Sequence, residues 1–167
     1  MKTDLTGAVN ALSTGQRAAL KRAVGKCLQE ADAKTLQVLF SVMPQESKTY
    51  EQEIYLAVSS MICLWKPEDR RSPKPFAECA SILNRESPTT EHRLIQLLDT
   101  PYNCGEGFLI TKLSRMARQF CANGLYPDFD KLLNDLFGWN APSRYIQRKW
   151  MSEFMYIDKN NNDKTEE

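Results

Sequence analysis

The sequence predicts an all-α protein built as two small helical bundles. Three observations carry that prediction. Apolar residues recur at three- and four-residue spacing through most of the chain, which gathers them on single helix faces. No segment sustains a strand-like alternation bounded by hairpin signals. Pro- and Gly-rich breaks at 66–75, 87–90 and 101–107 cut the pattern into helix-sized pieces. A chain of 167 residues is long enough to bury a sizeable core, and 42% hydrophobic with 26% charged residues is ordinary for a soluble globular protein.

The elements follow in order. Ser13-x-x-Gln16 is a capping-box pattern that opens a helix to about Ala31, with Leu20, Val24, Cys27 and Leu28 inside. Thr35 to Met43 is a short apolar helix halted by Pro44. Thr49-x-x-Gln52 starts the best-patterned helix, whose single face is Tyr50, Ile54, Ala57, Val58, Met61, Ile62 and Trp65. The proline-rich, mildly basic stretch Lys66 to Pro75 reads as a mobile exposed connection. A helix from Phe76 to Leu83 follows, and a hydroxyl in Ser87-Pro88-Thr89-Thr90 can cap the next one. After the second clear break, Phe108 to Ala122 carries Leu109, Leu113, Met116 and Phe120 on one face. Asp128 can cap a helix bearing Phe129, Leu132, Leu133, Leu136 and Phe137, stopped by Gly138. The last helix, Ser143 to Ile157, has Ile146, Trp150, Phe154 and Ile157 as its stripe. The expected division is residues 1–86, 87–157 and a disordered polar tail, 158–167.

Charge is the informative property. The net charge is only +1, so tight independent binding to a polyanion is not expected. From Phe108 to Trp150, however, seven basic residues stand against three acids. Arg115 and Arg118 lie off the apolar stripe of their helix, with Lys112 on its flank, and Arg144 and Arg148 form an i,i+4 row off the stripe of theirs. Arg17 and Lys21 edge the first helix, and Arg22 and Lys26 face away from its core. A solvated face explains any one such row; the one-sided imbalance suits a polyanion partner.

Chemistry is harder to find. His92 is the sole histidine, and there is no C-x-x-C or H-x-x-x-H spacing for a metal. Gly105-Glu106-Gly107 lacks the lysine, hydroxyl and preceding strand of a phosphate loop. The expectation is a chain that binds and does not catalyse, with no catalytic residue, metal or cofactor. Five widely spread cysteines (27, 63, 79, 104 and 121) read as small core residues in a reducing cytosol. With no apolar run of membrane-spanning length and no secretory pattern at the N-terminus, the expected location is the cytoplasm, away from membranes.

An ordered series of weak motifs resembles a known family. These are Glu91-His92-Arg93-Leu94, then Leu113-x-x-Met116 with its arginines, then Asp128-Phe129-x-x-Leu132-Leu133-x-Asp135-Leu136-x-x-Trp139, then Arg144 and Arg148-Lys149-Trp150-x-x-x-Phe154. Together, over roughly Ser47 to Ile157, they are similar to CasB, the small subunit of the type I-E CRISPR surveillance complex Cascade. The resemblance implies two copies per complex, other Cascade subunits as partners, and contacts to the backbones of guide RNA and target DNA that stabilise the R-loop. It implies Arg93, either Arg115 or Arg118, Arg144, Arg148 and Lys149 as contact residues; Arg17, Lys21, Arg22 and Lys26 are added by charge alone. A helical protein–protein adaptor whose arginines make interface salt bridges is the alternative.

Overall fold

In the computed structural model, which describes residues 4–162, the described residues form nine α-helices: α1 (Leu5–Asn10), α2 (Thr14–Lys21), α3 (Ala33–Val42), α4 (Thr49–Ile62), α5 (Phe76–Asn84), α6 (Thr89–Leu98), α7 (Phe108–Ala122), α8 (Phe129–Phe137) and α9 (Tyr145–Asn162). No strand occurs among the described residues; Lys74 and Pro127 make an isolated bridge.

Several starts are written in the sequence as expected. Ser13 closes both halves of its capping box with Gln16, at 2.9 and 3.2 Å. Asp128 accepts from the Lys131 backbone N–H at 3.1 Å. Others differ. The first helix does not run to Ala31: α2 ends at Lys21, and Gly25 at φ +79° turns the chain into a short 3-10 turn at Leu28–Glu30. Residue Lys48, not Thr49, takes the N-cap position of α4, and the Glu51 carboxylate accepts its backbone N–H at 3.3 Å. No hydroxyl caps α6; the Asn84 side chain accepts from the Glu91 N–H at 3.0 Å instead. α1 is too short to show a period and has no counterpart among the expected helices. α9 reaches Asn162, five residues into the segment expected as a tail, and residues 163–167 lie outside the described residues.

α4 is the hub. Every residue from Glu53 to Ile62 is buried, because α1, α2, α3, α7 and α8 surround it. Its expected apolar face is real from Ile54 onward, but Tyr50 at its start is exposed. The buried hydroxyls of Ser59 and Ser60 donate back to the carbonyls of Leu56 and Ala57. The hydrophobic core is one connected cluster across both sides of residue 86/87. Helix α5 lies against α9 and α6, while α4 and α1 lie against α8. Aromatic rings join the same halves, Phe76 meeting Phe120 at 4.9 Å and Trp150 at 5.1 Å; within the second half Trp139 meets Trp150 edge-on at 5.2 Å. All three indole N–H groups are satisfied over long range, Trp65 on the Leu125 carbonyl, Trp139 on that of Thr100 and Trp150 on the Asp135 carboxylate.

The 66–75 stretch is fastened at both ends. Arg70 donates to the Trp65 carbonyl at 3.0 Å and to the Asn10 side chain, and Lys74 exchanges backbone bonds with Tyr126 and Asp128 at 3.0 and 2.7 Å. The cysteines divide: Cys27, Cys63 and Cys79 are buried as expected, Cys121 is half-buried and Cys104 is exposed, and none is in a disulfide.

Candidate nucleic-acid interface

Helices α6 and α7 lie side by side, and a cleft of about 390 Å³ runs between them. Arg93 and Gln96 line it from α6; Lys112, Arg115, Met116, Arg118 and Gln119 line it from α7. Helical spacing explains the set. Positions 112, 115, 116 and 119 fall on one face at intervals of three, one and three, with 118 on its edge, while Leu113, Ala117 and Phe120 point the other way into the core. The three guanidinium groups have no carboxylate partner among the described residues, where the ion pairs are Lys131–Glu153 and Arg144–Asp99. Lys112 is held at the end of the cleft by its bond to the Thr100 hydroxyl at 2.7 Å, which itself donates to the Gln96 carbonyl at 2.7 Å. Uncompensated like charges sharing a concavity focus a positive potential there, and guanidinium forks match phosphate oxygens without reading bases.

On the other flank of α6, a second groove lies between it and the start of α9, with Ile95 on one wall and Arg148 and Met151 on the other. Arg144 is placed differently from expectation. It precedes α9 at φ +52° and does not share a helix row with Arg148. One of its terminal nitrogens donates to the Leu98 carbonyl at 2.8 Å and to Asp99 at 3.1 Å, which ties α9 to the C-terminal end of α6. The side chain is still 54% exposed, so the rest of the fork remains available. Arg148 and Lys149 are exposed.

The N-terminal cations also divide. Arg17 is spent on the fold: its guanidinium donates to the Leu12 and Asn10 carbonyls and closes the C-terminal end of α1. Lys21, Arg22 and Lys26 are exposed. A Cβ placed on Gly25 would sit 3.8 Å from Ser114, so the turn that follows α2 lies against α7 one turn before Arg118. Nearby, the Asp32 carboxyl is held below its usual value by the Thr35 backbone and hydroxyl and, more weakly, by Arg22 and Lys26.

The cleft therefore unites Arg93, Arg115 and Arg118, sets Arg148 and Lys149 apart on another flank, and excludes Arg17. Sequence reading did not offer Gln96 or Gln119 as contact residues, and placed Lys112 on the flank of its helix without naming it as one; its i−3 relation to Arg115 was the available signal. His92 is exposed, with Nε2 3.1 Å from the Gln96 amide nitrogen. Among the described residues no group of three or more His, Cys, Asp or Glu could hold a metal ion, and no helix is long and apolar enough to cross a membrane.

The family model for CRISPR-associated protein Cse2 matches residues 16–155. Solved structures share the fold. One is a chain of a CRISPR RNA-guided surveillance complex, at TM-score 0.75 and 19% identity over 96% of this chain and 95% of that one. A CRISPR-associated protein of the Cse2 family from Thermus thermophilus follows at TM-score 0.74 and 20% identity, over 92% and 94%. CasB from M. ruber gives 0.70 and 20%, over 96% and 95%. No curated protein matches significantly.

Proposed function

The chain belongs to the Cse2, or CasB, family of CRISPR-associated proteins, and from that premise we propose that it is a non-catalytic cytoplasmic subunit of a CRISPR RNA-guided surveillance complex. In this reading it works beside the other Cascade subunits and a second copy of itself. It grips the backbones of guide RNA and target DNA and so stabilises the R-loop. The observation that carries the reading is the α6/α7 cleft, where Arg93, Arg115 and Arg118 converge with no carboxylate partner among the described residues. Exchange of a DNA duplex for a guide–target heteroduplex is nearly balanced, so a few backbone contacts tip it. A net charge of +1 suits a clamp that acts inside an assembly.

The test is binding of a target duplex by the assembled complex carrying R93A/R115A/R118A, measured across a salt series. Assembly should be normal, affinity should fall, and the slope of log affinity against log salt should shrink by up to about 0.7–0.9 for each phosphate no longer neutralised. Unchanged affinity and slope in a correctly assembled complex would remove the reading. The α6/α9 groove is where an adaptor role keeps support, because exposed Ile95 adjoins an arginine already paired with Asp99. Contacts there would show little salt dependence.

A further inference from the structure

Glu53 lies in the second turn of the hub helix α4, 1% exposed, and no cation stands within ion-pair distance among the described residues. Its carboxylate is instead held by donors from two separate segments. Oε1 accepts from the Tyr102 hydroxyl at 3.0 Å, and both oxygens accept from the Gly105 backbone N–H, at 3.0 and 3.3 Å. Oε2 also accepts from the Leu28 backbone N–H at 3.4 Å. The two segments are bonded to each other as well: the Gln29 amide donates to the Gly105 carbonyl at 3.2 Å, and the Cys27 thiol reaches the same oxygen at 3.6 Å. Gly107, at φ +73°, comes so near that a Cβ there would lie 2.8 Å from the Cys27 sulfur. Burial and then the charge of Glu53 hold the Tyr102 hydroxyl above its usual range, in keeping with its service as donor.

A buried carboxylate without a countercharge is a poor device for stability, since burial costs more than neutral hydrogen bonds comfortably return. Its placement suggests another use. Leu28 follows Lys26 by two residues, at the exit of the segment that bears Lys21, Arg22 and Lys26. Tyr102 and Gly105 lie in the loop that joins α6, which bears Arg93, to α7, which bears Arg115 and Arg118. We propose that Glu53 is a positioning residue for polyanion binding, locking both loops to α4 and thereby fixing the spacing between the two sets of cations. The proposal rests on the nucleic-acid reading above. It adds that the two cation sets act as one ruler, with a group that touches no ligand setting its length.

The experiment uses the assembled complex and a fluorescent target duplex, with E53Q, Y102F, K21A/R22A/K26A, R93A/R115A/R118A and E53Q combined with each cation variant. Each is measured for melting temperature and for binding across a salt series well below the melt. E53Q turns one acceptor oxygen into a donor facing donors, so one loop is released while volume is kept. The expected result is a loss of affinity of about fivefold with a shallower salt slope, and little further change when E53Q is added to either cation variant. Y102F should move binding the same way by less. If E53Q and Y102F lower the melting temperature but leave affinity and salt slope untouched, Glu53 is structural only and the proposal is overturned. It is also overturned if E53Q weakens binding by the same factor in every background. If R93A/R115A/R118A itself leaves the slope unchanged, the underlying reading fails, and that outcome is visible without Glu53.

Discussion

Asp135 and the cysteines show what single buried groups do here. Asp135 is almost wholly buried under Trp150, whose indole N–H it accepts at 2.8 Å. Burial pushes its carboxyl above the usual 3.8, and the indole bond together with Lys149 and Lys131 opposes the shift without cancelling it, while Glu153 adds to it. With the folded-state pKa raised, the native state holds this proton more tightly than the unfolded chain does. The stability so contributed is full below 3.8 and is lost as pH rises through the raised value. Asp135→Asn keeps an acceptor for Trp150 and carries no charge. It is expected to stabilise the protein at neutral pH and to flatten the stability profile in that window, as read from urea midpoints from acid to neutral pH; a profile that keeps the native slope would contradict this. Among the thiols, burial pushes Cys63 up to about 11 and Cys79 up to about 12, whereas Cys104 is exposed. Maleimide should therefore modify Cys104 first and reach Cys63 and Cys79 only after unfolding, which mass spectrometry of timed samples would check.

The helices show where sequence patterns suffice and where they stop. α7 and α8 were legible because an unbroken apolar period coincides with a clear end signal: Gly107 before α7, Asp128 and Gly138 around α8. The outward arginines of α7, Arg115 and Arg118, were legible for the same reason. The end of α2 was not, because Val24 and Cys27 continue the period and are buried, although the helix has already stopped at Lys21 and Gly25 turns the chain between them. Partnership is not local either. Nothing in the neighbourhood of Arg17 announces that it closes α1, or that Arg144 will be held by Asp99 45 residues before it. Glu53 drew no notice in the sequence because its donors come from Leu28, Tyr102 and Gly105, all distant along the chain. Two glycines test the element boundaries. Gly25 needs its positive φ, so Gly25→Ala should cost about 1–2 kcal/mol. Gly15 lies in α2 with open space around it, and Gly15→Ala should stabilise by about 0.4–1 kcal/mol. Guanidinium melts of both variants check the pair, and equal signs would place the helix end elsewhere.

At the scale of the molecule, the shared core decides cooperativity. Phe76 of the first half is in ring contact with Phe120 and Trp150 of the second, and α4 is covered in part by α7 and α8. We expect one thermal transition with equal calorimetric and van't Hoff enthalpies, where two independent bundles would give two. Trp150→Ala, which empties the junction, should cost about 3–5 kcal/mol and lower the whole transition together. A variant that melts only the segment after residue 87 would instead support the two-unit division at 86/87.

The closing of that core also depends on the order in which the chain is made. Leu5 and Val9 are fully covered, and the Thr6 backbone N–H is bonded to Asp130, 124 residues later. At ribosomal speeds that separation is on the order of ten seconds of synthesis. Through that interval α1 can rest on α3 and α4 once they are made but not on α8, so a helix made early is among the last to be sealed. A nascent chain released before Asp130 emerges would leave α1 without its α8 cover, an exposed hydrophobic surface by which chaperones and proteases can tell unfinished copies from finished ones.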